Sequence, residues 1–412
     1  MKVEEVVRGL DLPTTMAFLG PNDILVLEKD KGTVQRIVNG KILPEPLLDV
    51  NVATSVERCM CGIAAVSKSS SSNVGSTTTY VFLYFTEAEI TDSEDVTQGK
   101  DPLGNRLYRY ELDNNNNKLI NPVLLLDLPA TPGPRHNGGA IMIGPDNYLY
   151  IPIGDVDGSG NGKETKAQNY VDGIEPDGRG GILRITQDGG VVGGGGILGN
   201  EDPLNKYYAY GIRNSFGFDF DPVTGNIWDT ENGPGDGPGE GDEINLVEPG
   251  FNSGWQEIHG IASIAADNNN FNPNDDLVNF EGKGKYSDPE FAWIETVGPT
   301  ALKFLNSDNK LGMQYVNDMF VGDVHMGNIY HFDLNESRTE LILGGLLADK
   351  VADTDSELES SAADIGNGND NGGGIIFGKG FGGITDLEVG PDGYLYVVSI
   401  GQGAIYRVVQ SQ

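Results

Sequence analysis

Only four histidines occur in the 412-residue chain, and one of them, His136, stands just before a glycine pair and a strand-forming run that ends at Asp155. An imidazole is the usual general base near neutral pH, and a carboxylate on its far side fixes its tautomer. The same spacing also fits a solvated loop histidine beside a turn aspartate. Arg213 and Asn214 stand together before another strand-like run, "SFGFDF". Arg offers a planar fork for a carboxylate or quinone oxygen, and Asn offers both a donor and an acceptor. An Arg paired with a nearby Asp is the plainer reading in so acidic a chain. A third segment, Thr230–Trp255, reads "TENGPGDGPGEGDEINLVEPGFNSGW". Its glycines let backbone carbonyls converge, and Asp236, Glu240, Asp242 and Glu243 add hard oxygen donors, which is calcium chemistry without EF-hand spacing. A solvated acidic hairpin would read the same way.

The elements that must position these residues are strands. The chain has 59 Gly and 21 Pro, together with tracts of Asn, Ser and Asp, the residues that supply turn geometry. Helix-period patterns are nearly absent, while short alternating strands recur beside turn signals. Sixty-one acidic residues against 27 basic ones give a formal charge of −34. Such a field repels polyphosphate and anionic lipid, which argues against nucleic acid or a membrane surface as partner. No apolar run approaches the roughly 18–20 residues that span a bilayer. The opening "MKVEEVV" lacks the apolar core of a signal peptide, so the chain is either cytoplasmic or has an initiator Met in place of a leader. The two cysteines, Cys59 and Cys61, are two residues apart; on a strand that separation is awkward for a disulfide, and buried structural thiols are expected.

An internal echo sets the architecture. "IGPDNYLYIPIGD" (Ile143–Asp155) parallels "VGPDGYLYVVSIG" (Val389–Gly401), with weaker relatives around Pro21 and Pro222. The prolines 21, 145, 222 and 391 are 124, 77 and 169 residues apart, which fits five steps of about 74 and hence six units. Sheet repeats at this period predict a β-propeller, here an all-β, six-bladed β-propeller of four-stranded antiparallel blades, forming a single domain over residues 1–412. A pair of β-sandwiches reusing a common turn is the alternative. Surface insertions are expected at about 67–79, 262–285 and 353–374, where low hydrophobicity offers little burial to offset ordering entropy.

Taken in order, "GLDLPTTMAFLGPNDILVLEKDKGTVQRI", "HNGGAIMIGPDNYLYIPIGD", "GIRNSFGFDFDP", "TENGPGDGPGEGDEINLVEPGFNSGW" and "GGITDLEVGPDGYLYVVSIGQGAIYRV" resemble the soluble quinoprotein sugar dehydrogenases of the glucose/sorbosone dehydrogenase family, over nearly the whole chain. The resemblance implies pyrroloquinoline quinone (PQQ) and calcium over the central channel of a six-bladed propeller. It implies His136 as the base for the sugar's anomeric hydroxyl, Asp155 as its partner, and Arg213 and Asn214 on the cofactor's oxygens. Carbonyls of Gly233 and Pro234 would hold the catalytic calcium, with Asp242 beside them, and Glu243 would hold a second, structural calcium. Thr300 falls near a cofactor-contacting position. Where the family often has Gln the chain has Glu57, and where it has Lys the chain has His325. Where it has two arginines for PQQ carboxylates, the chain has Gly383 and Thr385. Charge-assisted bonds are worth about 1.5–3 kcal/mol each, so other groups must take over that contact if PQQ is held.

The implied activity is oxidation of an aldose to its lactone, with an external electron acceptor, outside the cytoplasmic membrane in an extracellular or periplasmic setting. Two other functions fit the same propeller. One is a non-catalytic, calcium-dependent module binding glycan or protein. The other is a calcium lactonase, which would want carboxylate and Asn side chains on its metal.

Overall fold

The computed structural model describes residues 1–69, 77–89, 102–158, 162–235, 240–265, 272–359 and 374–411. Asp236 and most of the expected 353–374 insertion lie outside them. The described strands form six separate sheets, and the fold is an all-β propeller. Strands nearest the axis of neighbouring sheets pack against one another around a ring, with the second strand Leu149–Ile153 making one of the links. Pro13–Gly20 lies against Met60–Ser69, Met60–Ser69 against Met142–Ile143, Leu149–Ile153 against Ser215–Phe220, Ser215–Phe220 against Pro299–Phe304, Pro299–Phe304 against Ile384–Val389, and Ile384–Val389 against Pro13–Gly20. The last sheet is completed by Lys2–Arg8, which pairs antiparallel with Ala404–Val409, so residues from the two ends of the chain share one sheet.

The uniform four-stranded sheets expected from the repeat are not what forms. Three sheets have four strands, and the others have extra ones. The additions include Phe251–Asn252 beside Tyr207–Tyr210, Lys285–Tyr286 beside Phe251–Asn252, and Val351–Ala352 beside Phe291–Trp293, all paired in parallel. Short parallel additions come from the long connections, which the antiparallel repeat does not encode. The stretch 67–79 is partly strand rather than insertion, since Ser67 pairs with Thr79. The expected strand alternation also breaks down at the second strand of several sheets. Leu149–Ile153, Ile227–Glu231, Met319–Asp323 and Leu395–Ser399 are buried at every position. Each sheet is covered on both faces by its neighbours, so neither face is left for solvent. Trp228, Trp293, Phe291 and Phe332 fill one such gap between sheets.

The proline echo marks one structural position. Pro21, Pro145, Pro222 and Pro391 each lie between the first and second strands of a sheet. In the two strongest copies the Tyr hydroxyl two strand positions on donates back to the turn carboxylate, Tyr150 to Asp146 at 2.8 Å and Tyr396 to Asp392 at 2.9 Å.

Cys59 and Cys61 form a disulfide rather than separate thiols, with Cα atoms 5.3 Å apart. The expectation failed because the pairing of Met60–Ser69 shifts register between Met60 and Gly62, so the pair is not on regular strand.

Three sheets meet at one half-buried cation. Lys303 Nζ lies 3.4 Å from Asp219 and 3.1 Å from Glu388, groups carried by three neighbouring innermost strands. Asp219 also accepts the Phe304 N–H at 2.9 Å. Replacing Lys303 by Met leaves these carboxylates facing each other with little access to water. We expect Lys303→Met to cost about 3 kcal/mol, read by urea unfolding; a change within experimental error would show that the ring does not depend on this contact.

Candidate active site

His136 sits in the loop leading into Met142–Ile143, with φ of 59°, a left-handed conformation uncommon for a residue with a side chain. Two contacts hold it there. Its backbone N–H donates to Glu57 Oε2 at 2.6 Å, and its ring Nδ1 lies 2.5 Å from Asp155 Oδ1. The chain must pass close by at Gly154, where a Cβ would come within 2.2 Å of the Arg213 carbonyl and 2.8 Å of His136 Cβ. His136 is 6% exposed and Asp155 1%. The other Asp155 oxygen accepts the Trp255 indole N–H at 2.9 Å, and Oδ1 also accepts the Asp157 N–H at 3.0 Å. Burial alone would raise the Asp155 carboxyl, but the His136 and Trp255 hydrogen bonds and the nearby Arg213 charge outweigh it and hold it below its ordinary value. A charged carboxylate on Nδ1–H leaves Nε2 as the nitrogen that can accept a proton.

His136 lines a cavity of about 400 Å³, in the range of small-ligand sites. All six sheets or their loops contribute to it. Glu57, Arg213, Asn214, Gly233, Pro234, Asp242, Thr300 and His325, chosen from sequence, all line it with His136. Arg213 is anchored through its Nη1, which donates to the Asn232 carbonyl at 2.7 Å, and by its guanidinium 5.3 Å from the Trp255 ring centre. Its Nε and the Asn214 side-chain oxygen are buried without a hydrogen-bond partner. His325 Nδ1 lies 3.2 Å from the Thr296 carbonyl, and Thr300 Oγ1 donates to the Ile384 carbonyl. Gly233 must be glycine, because a Cβ would meet the Glu240 and Gly241 carbonyls at 2.1 Å.

Asp242 stands beside this turn but its carboxylate is already engaged. Oδ1 accepts the Gly233 N–H at 2.9 Å, and Oδ2 accepts Val297 and Gly298 N–H at 2.7 and 2.8 Å. That makes it the brace of the Gly233 turn. Of the last-sheet residues, Thr385 lines the cavity and donates to the Pro13 carbonyl at 3.0 Å, while Gly383 does not line it.

Glu243, next to Asp242 on the same strand, faces the opposite way and enters a second, buried cluster. One ligand atom each from Glu231, Glu243 and His259 lies within 4.8 Å of the others. Asp229, fully buried, adds a third carboxylate nearby. Burial, then the charges of Glu243 and Asp229, holds the Glu231 carboxyl well above its ordinary value. Burial pushes Glu243 up to about 8 and Asp229 up to about 7, and it pushes His259 down to about 3. Among the described residues no Lys or Arg side chain forms an ion pair with these three carboxylates. Buried charge without a counter-charge is costly, and a hard-oxygen donor set of this kind suits a divalent cation such as calcium.

Sequence reading missed Trp255, Glu231, Asp229 and His259, as well as Lys29, Arg135 and the Cys59–Cys61 disulfide on the cavity wall. Trp255 and Glu231 both lie inside the quoted Thr230–Trp255 block, but no spacing rule ties an indole to a carboxylate 100 residues earlier.

Comparison with known proteins agrees with this geometry. The glucose/sorbosone dehydrogenase family profile matches residues 10–407. An uncharacterized protein of Synechocystis is 24% identical over 408 residues, 97% of this chain and 84% of its own. An aldose sugar dehydrogenase of Escherichia coli is 24% identical over 276 residues, 66% of this chain and 59% of its own. In structure, the PQQ-bound aldose sugar dehydrogenase of Streptomyces coelicolor superposes with a TM-score of 0.63 at 21% identity, covering 98% of this chain and 97% of that one. The fold is shared along the whole chain, and the matching profile spans every residue of the cavity wall. The chain belongs to the glucose/sorbosone dehydrogenase family.

Proposed function

We propose that this protein oxidises an aldose at its anomeric carbon to the lactone, with PQQ and calcium bound, as a six-bladed, single-domain propeller acting outside the cytoplasmic membrane. One observation carries the reading: His136, held from behind by Asp155, the Arg213–Asn214 pair and the Gly233–Pro234 turn open onto one cavity. The cavity volume, the unpartnered Arg213 Nε donor and the excess of basic side chains fit a planar, oxygen-rich anion. Arg213 and Asn214 would contact its ring oxygens, with Thr300 and His325 on the far wall. The Gly233 and Pro234 carbonyls would hold one calcium, with Asp242 keeping the turn in shape. Glu243, with Glu231, would hold a second.

When bound, PQQ supplies the acceptor for a hydride from C1, and calcium the Lewis acid beside it. The residues of the chain manage the proton. His136 Nε2 takes it from the anomeric hydroxyl as the C1–O bond becomes a carbonyl. Asp155 stabilises the resulting imidazolium through Nδ1–H and prevents the ring from turning, while the Trp255 N–H keeps the carboxylate aimed. An external electron acceptor then completes the cycle. A lactonase is disfavoured because the turn at the cavity offers backbone carbonyls, with its one carboxylate, Asp242, already bound to three N–H groups.

Reconstitution with PQQ and calcium, followed by dye reduction with a panel of aldoses, tests the reading. We expect turnover with at least one aldose, and a loss of about 10²–10⁴ in kcat for His136→Ala with PQQ affinity retained. Bound PQQ with no turnover on any aldose would instead favour the non-catalytic binding module.

The buried cluster makes a separate prediction. In chelator, the folded-state pKa of Glu243, about 8, stands above its ordinary 4.5. The folded protein therefore holds more protons than the unfolded chain across that window, and stability falls as pH rises through it. We expect the melting temperature in chelator to drop between pH 5 and 8. Calcium should raise it far more at pH 8 than at pH 5, because the ion needs ionised carboxylates. Glu243→Gln should abolish most of the calcium effect; an equal calcium shift at both pH values would place the ion elsewhere.

A further inference from the structure

The charge of the cavity runs against that of the chain. Overall there are 61 acidic and 27 basic residues, yet the cavity wall carries Lys29, Arg135, Arg213 and His325 against only Glu57 and Asp242 among its ionisable groups apart from the His136 base. Both acids are engaged by hydrogen bonds from the chain. Asp242 accepts three backbone N–H groups, and Glu57 Oε2 accepts the His136 N–H at 2.6 Å and the Asn214 amide at 3.4 Å. Arg213 is turned to the Asn232 carbonyl and the Trp255 ring. Arg135 is different. Its backbone N–H donates to Asp157 at 3.0 Å, but among the described residues its guanidinium forms no hydrogen bond or ion pair. Among the described residues Lys29 pairs with Asp30 alone, at 2.8 Å, a carboxylate 40% exposed that does not line the cavity. A pair with a neighbouring, solvent-reaching carboxylate is weak and readily exchanged.

These two cations flank one short segment. The Met60 N–H donates to the Lys29 carbonyl at 3.1 Å, and the Glu57 N–H donates to the Pro134 carbonyl, next to Arg135, at 3.2 Å. The Cys59–Cys61 disulfide pins the backbone between them. From the last sheet, by contrast, the cavity receives Thr385 and Ile400 and no cation.

We propose that Lys29 and Arg135 form an anion subsite that grips the carboxylates of the bound cofactor, so that recognition of its charge falls on the side of the cavity next to residues 57–61. The inference rests on the PQQ reading above. A low-dielectric cleft of one sign within an oppositely charged surface concentrates an anion where it is wanted and leaves the rest of the surface repulsive to it.

The test uses two probes, PQQ and its trimethyl ester, titrated by absorbance and calorimetry into calcium-loaded wild type, Lys29→Gln, Arg135→Gln and the double variant. Each single change should weaken PQQ about tenfold to a hundredfold, and the double variant more, with a flatter dependence on salt. Ester affinity should be unchanged, which also shows that the pocket is intact. Equal PQQ affinity in wild type and double variant would overturn the subsite while leaving the proposed function standing. Parallel loss of acid and ester would assign the two residues to pocket shape and overturn it as well. Uptake of neither probe by wild type would remove the proposed function, and the subsite with it.

Discussion

Everything at the cavity depends on one buried carboxylate. Asp155 accepts from the His136 ring, the Trp255 indole and the Asp157 backbone, and its own N–H donates to the Arg213 carbonyl. Three other pieces of chain, around His136, Arg213 and Trp255, are therefore held by one side chain and its peptide group. Because Asp155 is almost completely buried, the charge it carries has to be matched by donors at every oxygen. Those same contacts set the position of the His136 ring. The left-handed backbone at His136 is tolerated for this reason, since Glu57 and Asp155 together over-determine it.

A ring of sheets makes such a point of convergence easy to build. Each sheet brings strand ends and loops to the same axis, so residues from six places in the chain reach one cavity. The cost falls on the inner strands, whose polar groups are removed from water. Lys303 between Asp219 and Glu388 answers that cost at one place. The Glu231–Glu243–His259 cluster does not answer it with protein groups alone, which is why its carboxyls are held so far above their ordinary range. Two neighbouring residues, Asp242 and Glu243, serve the two sites because successive side chains on a strand face opposite ways.

Much of this was legible in the sequence because it is local. The Gly-Pro-Asp turns carry their own signal, and the tyrosine that closes back onto the turn is only four residues away. His136 and Asp155 frame a single hairpin, so their partnership could be read from spacing. The Cys59–Cys61 bond could not, because a register shift of one residue changes which backbone separation applies. Nor could the sheet sizes, since the parallel additions come from segments with no repeat.

The amino-acid sequence alone determined that strands joined by Gly-Pro-Asp turns would repeat, that the chain would be strongly acidic, and that His136 and a glycine-rich turn at 233–235 would be available to a site. Those follow from side-chain type and short-range backbone preference. Only the tertiary structure decided that Trp255 would aim Asp155, that Asp242 would brace a turn while Glu243 joined a buried cluster, and that Lys29 and Arg135 would face the same cavity. Each of these needs two segments far apart in the chain to meet at hydrogen-bonding distance. Such a meeting is fixed by how the sheets pack around the ring, and no spacing within the chain encodes it.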